Sequence, residues 1–240
     1  MPVGKPVKWA FFDIGDTLFD ETPPHLLLFH SLLQTLNAYG HRVRWDDFNA
    51  RRIAEVREER GDLSGTIRSA FDAFCDGPAE AEALWREGHA LYESIRAPRP
   101  YGVLMDGMQP LLERLTPRVR LGVVANQHSA CRRALSEYGL DNALSVIVIS
   151  ELAGIEKPDP AIYRLALELA GCAGDAAVFV GDRPDHDVAA PKAEGMRTIR
   201  VRFGCHWVHA EPRTREEEPD ETVTTIADLE SALNALTESR

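Results

Sequence analysis

The 240-residue chain has only four cysteines, Cys75, Cys131, Cys172 and Cys205, and no two of them form a C-x-x-C pair. Such scattered thiols offer neither a disulfide framework nor a clustered metal site, and they predict a protein of the reducing cytoplasm. Positive charge is also scarce, with 27 Lys and Arg against 38 Asp and Glu, a net charge of −11. Nucleic acid and anionic membranes require a basic face, so neither is an expected partner. No window approaches the ~18 uninterrupted apolar residues of a membrane span. The start, Met1-Pro2-Val3-Gly4-Lys5, runs into a short apolar stretch that already contains Asp13. A secretory signal would carry a longer apolar region without an acid. Repeats and low-complexity tracts are absent. What remains is an ordinary globular composition, 44 % apolar and 27 % charged, in a chain long enough to bury a sizeable core.

Residues 7–13 read as a buried strand ending at Asp13. A helical stretch follows: one helix starts at Pro23-Pro24 and stops at Gly40, a second spans Trp45 to Arg60, and a third runs from Pro78 to Ser94. Ala97-Pro98-Arg99-Pro100 reads as a hinge. Beyond it the pattern alternates. Strands are expected at 119–125, 145–149, 176–181 and 197–202, and helices at 106–116, 128–138, 160–170 and 186–194. An acidic loop at 211–221, a strand-like Thr222–Ile226 and a helix over Ala227–Leu236 complete the chain. Alternating apolar strands and amphipathic helices predict an α/β fold, a Rossmann-like parallel sheet flanked by helices. The expected organisation is a core of residues 1–20 and 100–240, interrupted by an all-helical domain at 21–99.

Ligands of open α/β sheets bind at the carboxyl ends of the strands. Three segments there carry chemistry. Phe12-Asp13-Ile14-Gly15-Asp16-Thr17 delivers a carboxylate to a glycine-containing turn, either as a nucleophile or metal ligand or as a turn cap. Lys157-Pro158-Asp159-Pro160 sets an ammonium just before a helix, where it suits an anion or is merely solvated. Gly181-Asp182, with Asp187 five residues on, presents two acids beside a glycine turn. They suit Mg²⁺, although Asp185 or Asp187 could equally cap a helix.

With this set of segments the chain resembles the haloacid dehalogenase-like (HAD) hydrolase superfamily, in the branch with a helical cap inserted after the first strand. Asp13 to Leu18 falls on the first motif, Ala125 on the second, Lys157-Pro158 on the third, and Gly181-Asp182 with Asp187 on the fourth. The resemblance implies a Mg²⁺-dependent phosphatase acting on a small phosphorylated substrate. Asp13 would be the nucleophile that forms an aspartyl-phosphate, and Lys157 would neutralise it and the phosphoryl oxygens. Asp13, Asp182 and the Gly15 carbonyl would hold the metal, with Asp187 a ligand through water or the residue that orients Lys157. Phosphate would lie against Ala125, Asn126 and Lys157. The cap would close over the strand ends, and the protein would be a monomer or homodimer.

Two positions depart from the family pattern. Gly15 stands where family phosphatases carry a second Asp that protonates the leaving group, a role worth ~10²–10⁴-fold in rate. Asp16, one residue on, is a candidate substitute acid, as are Glu21, His25 and His128. Ala125 stands where Ser or Thr would donate a hydrogen bond to phosphate, leaving the N–H groups of Asn126 and Gln127. A dehalogenase and a non-catalytic binding protein are the alternatives. Retention of Asp182 and Asp187, and the lack of a basic residue at 18–24, weigh against a dehalogenase. The arginines of the insert, including Arg44, Arg51, Arg52, Arg57, Arg60 and Arg68, are expected on solvated helix faces. Its apolar residues Leu27, Phe29, Leu32 and Leu33, with Trp45, Phe48, Trp85 and Tyr92, are expected to form its own core. Cys205-His206 is at best a two-residue metal pair.

Overall fold

A computed structural model describes residues 5–58, 63–96, 102–204 and 211–238. They form two compact units: one of residues up to Glu21 together with those from 102 onward, the other beginning at Thr22 and running through residue 96. The expected hinge at 97–100, Arg60 and Cys205-His206 lie outside the described residues, as do the side chains of Arg57 and Glu58.

The first unit is built on strands β1 (Trp9–Phe12), β4 (Arg120–Ala125), β5 (Leu144–Ile149), β6 (Ala177–Gly181), β7 (Arg197–Val201) and β8 (Glu221–Val223). They form one sheet in the order β5-β4-β1-β6-β7-β8, with every pairing parallel. Two short strands, β2 (Phe19–Asp20) and β3 (Val103–Leu104), pair antiparallel beside it. They were not expected, since two residues are too few to show a period of two.

Alternation along β1 sends Ala10 and Phe12 to one face of the sheet and Trp9 and Phe11 to the other. The first pair packs with α5 (Met108–Leu115) and α11 (Ile226–Thr237), through Leu111, Leu112 and Leu229. The second packs with α8 (Pro160–Ala170), through Ile162, Tyr163 and Ala166. Both layers bury near-continuous apolar strands, as a parallel sheet requires. Side chains cap α8 and α11: Asp159 accepts from the Ala161 N–H at 2.9 Å, and Thr225 from the Asp228 N–H at 3.1 Å.

Several boundaries differ from expectation. The helix expected from Asp106 starts at Met108, after Gly107 in the left-handed region at φ 79°. The helix expected from His128 is α6 (Cys131–Glu137). It starts late because Glu151, in α7 (Ser150–Ala153), holds the Ser129 N–H at 2.6 Å and His128 at 3.2 Å. The helix expected at 186–194 is two short ones, α9 (Pro184–Asp187) and α10 (Ala189–Ala193).

The described residues of the second unit form four helices, α1 (Thr22–Ala38), α2 (Trp45–Glu58), α3 (Leu63–Asp72) and α4 (Pro78–Ile95). The sequence reading identified three. It missed α3, whose Ser64-Gly65-Thr66 start is poor in helix formers. Phe29, Leu32, Leu36, Phe48, Ile67, Phe71 and Leu84 form its core, with Leu33, Trp45 and Trp85 packed against them. Arg52 departs from the expected solvated face. It is buried, with its guanidinium 4.9 Å from the centre of the Phe29 ring.

Candidate active site

Parallel pairing puts the carboxyl ends of β4, β1 and β6 side by side. Phe12 is level with Val123 on one flank and Val180 on the other, so the residues that follow leave the sheet along one edge. Asp13 follows β1, Asn126 follows β4 and Asp182 follows β6. The Asp13 N–H still bonds to the Val180 carbonyl at 2.9 Å, which holds the residue at the sheet edge.

Lys157 arrives from the loop before α8, and its Nζ lies 2.7 Å from Asp13 Oδ1 and 2.8 Å from Asp187 Oδ1. The ammonium is also 5.7 Å from the Phe179 ring centre. Its main chain is clamped by Asn126: the Asn126 side-chain amide donates to the Lys157 carbonyl at 2.8 Å, and the Lys157 N–H donates to Asn126 Oδ1 at 2.7 Å.

Asp187 is not a helix cap. It is buried, and its second oxygen accepts from the Arg183 N–H at 3.0 Å. Asp185 instead pairs with Arg183, at 2.7 Å. Gly181 makes room for Asp187, since a Cβ on residue 181 would lie 2.5 Å from both Asp187 Cβ and Oδ2. Arg200, a buried residue of β7 that the sequence reading did not single out, donates to the Asp182 carbonyl at 3.2 Å. An arginine at a buried strand position was the available signal.

Asp13, Asp182 and Asp187 thus offer carboxylate oxygens within 4.8 Å of one another. Their burial with a single ammonium sets the electrostatics. Burial outweighs the pull of Lys157 and raises Asp13 to about 6. Burial, with the neighbouring Asp187 and Asp13 charges, raises Asp182 well above the usual carboxylate range. Burial works against the charge on Lys157, but Asp13 and Asp187 together hold its pKa above the ordinary lysine value. Three carboxylates facing one ammonium leave an excess of negative charge that a divalent cation would cancel. Hard oxygen ligands at this spacing are the donor set such an ion takes.

The remaining expected residues are placed as follows. Ala125 is fully buried, and its methyl group packs in the core. The Gln127 N–H donates to Ser150 Oγ at 3.2 Å. His128 is exposed beside Glu151. His25 belongs to the helical unit, where its ring stacks on Phe29. Asp16 is buried with φ at +45°, and its Oδ1 accepts from the Glu21 N–H at 3.0 Å. Glu21 is partly buried. Burial and the neighbouring Asp16 and Asp13 charges push its carboxyl up to about 8.

A family model described as haloacid dehalogenase-like hydrolase matches residues 7–195. The chain belongs to that hydrolase family. It is 38 % identical over 86 residues to a glyceraldehyde 3-phosphate phosphatase of Methanopyrus kandleri, a match that spans only 36 % of either protein. It is 26 % identical to the pyrimidine 5'-nucleotidase YjjG of Escherichia coli, over 94 % of this chain and 97 % of that one. Among solved structures it resembles the HAD-hydrolase YfnB of Bacillus subtilis, bound to magnesium, with a TM-score of 0.70 and 20 % identity. That likeness covers 96 % of this chain and all of the other. Among the described residues no helix of this HAD hydrolase is long and apolar enough to cross a membrane.

Proposed function

We propose that the protein is a phosphatase of small phosphate monoesters, working through an aspartyl-phosphate at Asp13 and requiring Mg²⁺. The observation that carries this reading is the buried cluster of Asp13, Asp182 and Asp187 around Lys157. A dehalogenating carboxylate needs no such excess of acids. Relatives named as phosphatase and nucleotidase agree with the reading.

Asp13, Asp182 and Asp187, with the Gly15 carbonyl, would hold the metal, which supplies positive charge against the phosphoryl oxygens. Lys157 keeps Asp13 oriented and screens the approach of a dianionic ester. One Asp13 carboxylate oxygen bonds to phosphorus as the ester oxygen departs. Water then attacks the same phosphorus and frees Asp13 and phosphate. Phosphate would be bound by Lys157 and by the main-chain N–H of Asn126, because Ala125 presents only a buried methyl group and the Gln127 N–H is held by Ser150.

The test is release of p-nitrophenolate from p-nitrophenyl phosphate with Mg²⁺, with EDTA, and by Asp13→Asn. Turnover should require the metal and vanish in the variant. Undiminished turnover in Asp13→Asn would refute the nucleophile, and undiminished turnover in EDTA would refute the metal.

A further inference from the structure

We propose that Glu21 is the proton donor and acceptor of this reaction, supplying from a neighbouring turn the carboxyl that position 15 lacks. The inference rests on the phosphatase reading above. Its basis is a matter of space. A Cβ on residue 15 would lie 3.0 Å from Glu21 Oε2, 3.1 Å from Cδ and 3.2 Å from Oε1. The Glu21 carboxyl therefore lies directly against the place where a side chain of residue 15 would begin, on the turn that follows Asp13.

It is held there from two sides. Its main-chain N–H bonds to Asp16 Oδ1 at 3.0 Å, and its Oε1 accepts from Gln127 Nε2 at 3.4 Å. The first contact keeps the Asp16 carboxylate on the main chain of residue 21. The second ties Glu21 to the loop after β4, on the same edge as Asp13. Lys157, Asp185 and His128 are committed elsewhere. Lys157 lies between Asp13 and Asp187, Asp185 pairs with Arg183, and His128 sits on the surface with Glu151.

The proton balance is simple. As the Asp13 oxygen bonds to phosphorus and the ester P–O bond breaks, the Glu21 carboxyl gives its proton to the departing oxygen, which leaves as the alcohol. In the second half the carboxylate takes a proton from water as the water oxygen bonds to phosphorus. The P–O bond to Asp13 then breaks, and Glu21 is again protonated.

The experiment compares wild type and Glu21→Gln on p-nitrophenyl phosphate, whose leaving group needs little protonation, and on phenyl phosphate, whose leaving group needs more. For Glu21→Gln, kcat/KM should fall less than about tenfold on the nitrophenyl ester and by about 10²–10⁴-fold on the phenyl ester. The nitrophenyl reaction should also begin with a burst of product equal to the enzyme present, because the aspartyl-phosphate accumulates. Equal losses on both esters would mark Glu21 as merely structural, and no loss would remove it from the reaction; either overturns the inference and leaves the phosphatase reading standing. A wild-type protein that releases phosphate from neither ester with Mg²⁺ overturns both. Should Glu21→Gln fail to fold, Glu21→Ala with Gly15→Asp replaces it. This pair should hydrolyse phenyl phosphate faster than Glu21→Ala alone, and a pair that is no faster overturns the inference.

Discussion

The side-chain amide of Asn126 and the main chain of Lys157 exchange two hydrogen bonds, of 2.8 and 2.7 Å, across 31 positions of sequence. This clamp joins the end of β4 to the loop that carries the ammonium. The depth of Lys157 beside Asp13 is therefore set by a neutral side chain that itself bears no charge to bring to the reaction.

Asn126→Ala removes both bonds. Stability should fall by about 1–3 kcal/mol, the usual net worth of two such bonds. Turnover on p-nitrophenyl phosphate should fall on the order of a hundredfold, because small displacements of a charge-neutralising group are costly. Urea denaturation and steady-state kinetics check the two effects. Unchanged kinetics in a destabilised variant would confine Asn126 to a structural role.

Lys157→Ala leaves Asp13 and Asp187 buried without their cation. Removing one partner of a buried pair typically costs about 3–5 kcal/mol, and that is the loss expected in EDTA. Added Mg²⁺ should restore part of it. Denaturation curves with and without the metal read both numbers, and a variant as stable as wild type in EDTA would contradict the electrostatic account.

Gly181→Ala introduces a Cβ into the space of the Asp187 carboxyl. Overpacking of this kind costs about 1–3 kcal/mol. Asp187 must shift, so Mg²⁺ affinity should weaken by about 10–100-fold. Calorimetric titration of the variant with Mg²⁺ would show this, and wild-type affinity would mean that the Asp187 position is unimportant for the metal.

Acidity should affect the metal-free protein in an unusual direction. Folding raises Asp13 to about 6, Glu21 to about 8 and Asp182 well above its ordinary value, chiefly through burial. Between the unfolded and folded values the native state holds protons that the unfolded chain has released. These three acids therefore make stability fall as pH rises from about 4 toward 8, and they outweigh His186, whose burial lowers it to about 4 and which acts in the opposite sense below about 6.5. The melting temperature in EDTA should drop from pH 5 to pH 8, and Mg²⁺ should flatten that slope. A midpoint that climbs over this range in EDTA would contradict the burial argument.

Much of the core was readable along the chain. Apolar runs ending at Asp13 and Asp182 marked strand ends, and alternation with helical patterns marked a parallel sheet. Helix ends were less readable where distant groups intervene, as Glu151 does at Ser129. The short β2–β3 pair was invisible because two residues carry no period. The Asn126 clamp had no sequence signal of its own, and Glu21 was one candidate acid among four with nothing to place its carboxyl beside Gly15, since each depends on a contact between separate turns.

By itself, the sequence determined that the chain has an α/β core with acids at its strand ends and a helical insertion after the first strand. These follow from local periodicity and from residue types at turns, which need no knowledge of distant neighbours. Only the tertiary structure decided which acids meet. Strand order brings Asp13, Lys157 and Asp187 together in one buried cluster, while Asp185, two residues from Asp187, is turned toward Arg183. The place beside Gly15 is bordered by a carboxyl six residues further along the chain. Coulombic and hydrogen-bond energies depend on distance in space, and that distance is set by sheet pairing rather than by position in the chain.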